Sequence, residues 1–346
     1  MKNVSVQDNL NLSILDFAYV YHGNTPTETL KKSTEVVKLA DELGYTRYWF
    51  TEHHNTEHIV STSPDLLALH AAGNTKNIRV GTGGIMLPNY SSLKVAENFT
   101  LLEALHSGRV DLGLGSASGT DGATALALHR SREVMLTNNF PEQLEELLGF
   151  FSRDFPNEHP YSSIKLAGDS SLTPEIFLLG SSFGAVEFGI KKGLGYVFAA
   201  HLSPELAVPV LRSYHEKFEP SKYLKKPKGI LSIPVITAET EEEAKYLAGP
   251  MELLWARMGT GSSNLAVVSP EEAANHKYTS AELAAYNHNK QRFIIGSIKT
   301  VGQRLRDLAK EALVDEIMIV DFYGEQEGRL KAYNLLAEEF LHSTLN

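Results

Sequence analysis

Short apolar runs alternate along this chain with segments whose apolar residues recur every three to four positions. Eight runs read as strands: Leu12–Ala18, Arg47–Phe50, Ile78–Ile85, Val110–Leu114, Glu175–Leu179, Tyr196–Ala199, Leu231–Ile236 and Glu316–Val320. They are mostly bounded by Gly or polar residues, as strands buried on both faces of a parallel sheet are. Helical stripes fill the gaps at Thr27–Leu43, Leu93–Leu105, Ser181–Lys192, Pro204–Phe218 and Val301–Leu313, with Gly44 and Gly193 placed to end two of them. This alternation predicts an α/β fold of βαβ units, and eight strands make a (β/α)8 TIM barrel the simplest closure. A doubly wound open sheet is the structural rival.

Two segments break the rhythm, at 116–161 and 237–295. Long barrel insertions usually lie over the strand C-terminal face. The second insertion carries the Gly/Ser stretch Gly259–Ser263, which reads equally as a mobile lid or as a disordered surface loop. A length of 346 residues suits one large barrel or two ordinary domains, and the pattern favours one domain over 1–346.

Composition narrows the function. The formal net charge of −10 makes nucleic acid and anionic membrane poor partners. The chain has no cysteine, which excludes disulfides, thiolate metal sites and cysteine nucleophiles. The polar start and the lack of an apolar run near 20 residues suggest a soluble, cytoplasmic protein.

The candidate chemistry sits at predicted strand ends. Glu52-His53-His54-Asn55-Thr56-Glu57-His58 follows the strand ending at Phe50. It lacks the spacing of a metal motif, since adjacent His53 and His54 point apart on any regular backbone. No metal is therefore assigned. His53 is the candidate acid/base or hydrogen-bonding group, because imidazole titrates near neutrality. His54 and His58 read as loop-bridging residues. Glycines at Gly81, Gly83 and Gly84, and again at Gly113 and Gly115, allow a flat group to approach the backbone or simply mark barrel corners. Gly180-Ser181-Ser182, before a helix, suits a phosphate, with Ser181 as an ordinary N-cap in the plainer reading. Asp121 reads as a turn or cap residue. No Gly-X-Gly-X-X-Gly opens a helix after the first strand, and no Gly-X-Ser-X-Gly elbow surrounds Ser118 or Ser181.

Trp49-Phe50-Thr51-Glu52-His53-His54, Gly81 to Pro88, Lys94 to Glu97, Leu101 to Gly115 and Leu178 to Ser182 together resemble the bacterial luciferase-like monooxygenases, in collinear order over nearly the whole chain. The resemblance implies a barrel binding FMN at its mouth. His53 would assist turnover. A cis peptide at Gly83–Gly84 would lie against the isoalloxazine, with Asp16, Phe17 and Ala18 beside the ring and Gly180, Ser181 and Ser182 on the phosphate. It further implies reduced FMN delivered by a separate flavin reductase, O2 adding at the flavin C4a carbon as a peroxide, a small organic substrate such as an aldehyde, and a homodimer. Relatives usually carry Arg where this chain has Ser116. Arg130 is a candidate substitute, and a deazaflavin-dependent hydride-transfer enzyme or a non-catalytic flavin-binding protein becomes an alternative. A metal-dependent hydrolase is the third.

Overall fold

The computed structural model describes residues 10–129, 131, 139–262 and 264–342. The strands are β1 (Asn11–Asp16), β2 (Arg47–Phe50), β3 (Arg79–Met86), β4 (Val110–Gly115), β5 (Glu175–Gly180), β6 (Gly195–Ala199), β7 (Gly229–Ala238), β8 (Ile294–Ser297) and β9 (Glu316–Asp321). β1 to β7 neighbour one another in order, β7 pairs with β9, and β9 pairs with β1. All pairings are parallel, so eight strands close a (β/α)8 barrel and the open-sheet alternative falls. β8 stands outside this ring. It pairs with the upper half of β7, from Val235 opposite Ile294 to Ala238 opposite Ser297.

The helices are α1 (Pro26–Leu43), α2 (Pro64–Gly73), α3 (Ser92–Leu105), α4 (Gly122–His129), α5 (Phe140–Ser152), α6 (Phe183–Lys192), α7 (Ala207–Lys217), α8 (Glu241–Gly259), α9 (Pro270–Asn275), α10 (Ser280–Asn289), α11 (Ile298–Ala312) and α12 (Gln326–Phe340). Their ends follow local chemistry. Thr25 and Glu28 form a capping box on α1, and Gly44 ends it at φ 84°. Gly193 ends α6 at φ 59°. That left-handed conformation costs a Cβ-bearing residue energy, so glycine is the fitting terminator. No helix among the described residues is long and apolar enough to cross a membrane.

The base of the barrel is closed by charge. Arg47, at the start of β2, holds Asp111 at 2.7 Å and Glu316 at 2.6 Å, and Arg79 holds the other Asp111 oxygen at 2.6 Å. The Trp49 indole N–H donates to Asp111 at 2.9 Å. Arg47, Asp111 and Glu316 are all buried. Such ions are tolerated only because each is paired and hydrogen-bonded. With the strand N-terminal end plugged, the opposite mouth is left for ligands.

Candidate active site

A cavity of about 570 Å³ opens at the strand C-terminal ends, within the ~300–1,000 Å³ typical of small-molecule and cofactor sites. It gathers residues from β1 to β7 or the turns that follow them, and Phe322 just past β9. Among the described residues, its lining holds no Asp, Glu, Lys or Arg. The charge of the base network therefore does not reach it.

β1 places its residues by simple alternation. Leu15 and Phe17 line the cavity, whereas Asp16 points to the helix layer. There Asp16 accepts from the Tyr48 hydroxyl at 2.5 Å and pairs with Arg329 of α12 at 3.1 Å. Arg329 also clasps Asp321 at the end of β9, its Nε donating at 2.6 Å. Burial raises the Asp16 pKa, but Arg329 and hydrogen bonds from Ser33, Tyr48 and Ala18 outweigh it and hold the carboxyl below its ordinary value. Asp321 goes the other way, pushed up to about 6 by burial and by the like charge of Asp16, against the pull of Arg329. Ala18, at φ 51°, donates its N–H to Asp16 at 2.7 Å. Asp16 and Ala18 thus brace the turn behind Phe17 and are not on the cavity wall. Of the three residues expected beside a ring, Phe17 alone lines the cavity.

The histidine segment comes off β2. His53 lies on the wall, its backbone N–H donating to Ser61 at 2.9 Å, its Nδ1 3.0 Å from the Thr51 hydroxyl, and its ring stacked on Phe17 at 5.0 Å. Burial, with a smaller contribution from His54, pulls its pKa down to about 4. At neutral pH it is therefore an uncharged imidazole. The depressed pKa moves His53 away from proton exchange near neutrality and toward hydrogen bonding through its ring nitrogens. His54 and His58 also line the cavity, beyond the bridging role expected of them. His54 Nε2 lies 2.9 Å from the buried Glu52 carboxylate. Glu52 in turn accepts from the Met86 N–H at 3.0 Å and from Asn89 at 2.9 Å, tying the end of β2 to the end of β3. Its pKa is raised by burial, with these hydrogen bonds opposing. Among the described residues no group of three or more His, Asp or Glu is arranged to hold a metal ion.

Glycines make the neighbouring wall. The Gly83–Gly84 peptide is cis, and both residues face the cavity together with Gly115 and Ser116. A Cβ on Gly84 would stand 2.7 Å from the Gly113 carbonyl oxygen, and one on Gly83 would run into Leu15. β3 thus needs glycine here to pack against β4 and β1. Across the mouth, Gly180, Ser181 and Ser182 line the cavity at the start of α6. Ser182, rather than Ser181, is the N-cap, accepting from the Ala185 N–H at 3.5 Å. That leaves the Ser181 hydroxyl for a ligand. Asp121 caps α4 through the N–H groups of Ala123 and Thr124. Arg130 lies outside the described residues, as does Ser263.

The second insertion roofs the cavity. Leu254, Trp255 and Met258 of α8, and Leu265 beyond it, supply the apolar cover. The wall residues that had drawn no notice in the sequence include three polar ones, His201, Ser232 and Trp255. His201 follows β6 by two residues, much as His53 follows β2, and burial likewise pulls its pKa to about 4, with His53 and Arg292 adding to it. A lone His after an apolar run carries no motif, but its distance from the strand end was a usable signal.

A parallel barrel whose cavity is lined, among the described residues, by no Asp, Glu, Lys or Arg, with glycines on one side and a helix N-terminus on the other, suits a flat, phosphate-bearing ligand. The chain belongs to the luciferase-like monooxygenase family, whose sequence model matches residues 12–316. It is 40% identical over 332 residues to the uncharacterized protein YceB of Bacillus subtilis strain 168, covering 96% of this chain and 100% of that one. The crystal structure of apo-MsnO8 is similar at a TM-score of 0.87 and 32% identity, covering 96% and 98% of the two chains. The fold is also that of the oxygenating constituent of 3,6-diketocamphane monooxygenase from Pseudomonas putida, a type II Baeyer–Villiger monooxygenase in complex with FMN. There the TM-score is 0.69 at 20% identity, over 97% of this chain and 99% of that one.

Proposed function

We propose that the protein is a flavin-dependent monooxygenase that takes reduced FMN from a separate reductase and uses O2 to oxidise a small organic substrate. The observation that carries this reading is the single cavity joining the glycine wall of Gly83, Gly84 and Gly115 to the Gly180–Ser182 turn. Family membership and the FMN held by a protein of the same fold support it.

The residues present fit the cofactor. The glycine wall offers bare backbone to a flat ring, and Phe17 faces it with an aromatic plane. Ser181, Ser182 and the N-terminal N–H groups of α6 suit a phosphate. The Tyr196 hydroxyl beneath them is buried without a partner, 2.8 Å from where a Cβ on Gly180 would sit. Bound reduced flavin supplies the electrons that activate oxygen. Ser116 stands where relatives carry Arg, so the described phosphate site relies on neutral donors and the helix dipole. His53, uncharged and stacked on Phe17, offers a ring nitrogen for a hydrogen bond. Leu254, Trp255 and Met258 keep bulk water away. We assign a homodimer to the face of α2 and α3, where Leu66, Leu69, Leu101 and Leu105 remain exposed.

Titration with oxidised and then anaerobically reduced FMN tests this. Preferential binding of the reduced form, with oxygen uptake above the free-flavin rate once a substrate is added, is expected. Binding of neither form would refute it. Selective binding of a deazaflavin would instead favour hydride transfer, and bound flavin without added oxygen uptake a carrier role.

A further inference from the structure

We propose that the substrate is an uncharged, mostly apolar molecule presenting an oxygen acceptor, held on the wall formed by His201, Ser232 and Trp255. This rests on the reading of the cavity as the oxygenase site and names what that site selects.

Two observations carry it. The first is the lack of charge. An ionised substrate group would leave water for a lining with no counter-charge among the described residues, which is a heavily penalised transfer. Burial keeps both His53 and His201 uncharged near neutrality, so these two imidazoles bring no cation to the wall. The apolar surface is large and comes from several elements: Phe17, Ile59, Met86, Leu254, Met258 and Phe322.

The second is where polar atoms lack partners. His201 Nδ1, Ser232 Oγ and Trp255 Nε1 are each buried with no hydrogen bond from the protein, and all three residues line this cavity. Buried polar groups are nearly always paired, so three orphans on one lining need an explanation. They come from adjoining elements. His201 follows β6, Ser232 lies on β7 opposite Ala199 of β6, and Trp255 packs its ring on Phe322 and Phe293 from α8 above. An indole N–H can only donate, a hydroxyl can do either, and a neutral imidazole nitrogen takes the role its tautomer allows. The group that satisfies Trp255 must therefore accept. An ester, ketone, aldehyde or ether oxygen does so without bringing charge. The flavin is assigned to Gly83, Gly84, Ser181 and Ser182, none of which belongs to this wall.

The test is calorimetric titration of the full chain, with and without saturating FMN, using three probes of one shape: acetophenone, 4-acetylbenzoate and ethylbenzene. Acetophenone should bind at least about tenfold more tightly than either of the others. Ser232→Ala and Trp255→Phe should each weaken acetophenone at least about threefold more than they weaken ethylbenzene. Ser232→Ala removes one hydroxyl and Trp255→Phe keeps an aromatic ring in place, and ethylbenzene binding serves as the check that the cavity still forms. Equal or tighter binding of 4-acetylbenzoate would overturn the charge argument. An unchanged preference for acetophenone over ethylbenzene in both variants would overturn the wall. Loss of acetophenone binding once FMN is present would reassign the orphan atoms to the flavin's own ring and sink the proposal. If FMN fails to bind while the ketone preference holds, the flavin reading falls and this one stands.

Discussion

Acid should destabilise this protein through two particular histidines. His53 and His201 have folded pKa values near 4 against an ordinary 6.5, because burial penalises the imidazolium. A depressed folded value means that the unfolded chain binds the proton first. The stability held by neutral burial is then present above the unfolded value and is lost as pH falls below it. Between pH 7 and pH 5 the unfolded imidazole becomes almost fully protonated while the folded one does not. At about 1.36 kcal/mol per tenfold change, that amounts to about 2 kcal/mol per histidine, and about 4 for both. Glutamine keeps polarity and similar bulk but does not titrate. Urea denaturation followed by circular dichroism, at pH 7 and pH 5, should therefore show a smaller acid loss in His53→Gln and His201→Gln, by about 2 kcal/mol each, and in the double variant by about 4. Carboxylates contribute equally to all four proteins and cancel in the comparison. If wild type and double variant lose the same stability between the two pH values, the imidazoles are not buried as described, and the uncharged character of the cavity goes with them.

Four further outcomes follow from the same contacts. Arg329→Met leaves Asp16 and Asp321 buried together without their cation. It should cost about 3–5 kcal/mol in denaturant titrations and recover in part as pH falls and one carboxyl takes a proton. Glu52→Ala frees the Met86 N–H, Asn89 and His54 at once, which should lower stability by about 1–3 kcal/mol and loosen FMN binding in fluorescence titration. Gly180→Val puts a branched side chain into Ala185 and Tyr196, so reduced-FMN affinity should drop at least about tenfold while the far-UV spectrum is kept. Leu66→Glu with Leu101→Glu places like charges on the α2–α3 face, and light scattering should then report a monomer.

The barrel was open to reading because a strand buried on both faces writes itself as an apolar run, and all eight barrel strands do so. β8 escaped although Phe293-Ile294-Ile295 precedes Gly296, because it lies at the end of the second insertion and outside the strand–helix alternation. It is held by its edge on β7, a tertiary fact. The histidine mouth and the glycine wall were visible for a similar reason: residues at strand ends stand out against apolar runs. The lining in between was not. Ser232 sits inside Ile-Leu-Ser-Ile-Pro-Val-Ile, where a single hydroxyl reads as a tolerated core polar group until the barrel shows which face is inward.

Asp16 shows the opposite error. A carboxylate at a strand end beside a family motif invites a functional role, yet its partner is Arg329, 313 positions away and buried as deeply. No local pattern could have announced that pair. The alternation of β1 could have, since fixing Leu15 and Phe17 inward forces Asp16 outward into the helix layer. There a lone buried carboxylate would be untenable, so a cation from the closing helix had to be found. The same logic separates the two charge systems of the molecule. One plugs the base through Arg47, Asp111 and Glu316, and the other clamps α12 to the β1–β9 seam. Both are spent on structure, outside the cavity. What remains at the mouth is a surface of glycine backbone, hydroxyls, imidazoles and apolar rings with no carboxylate, ammonium or guanidinium among its described lining residues, and on the substrate reading proposed above it is this lack of charge that sorts the molecules that reach it.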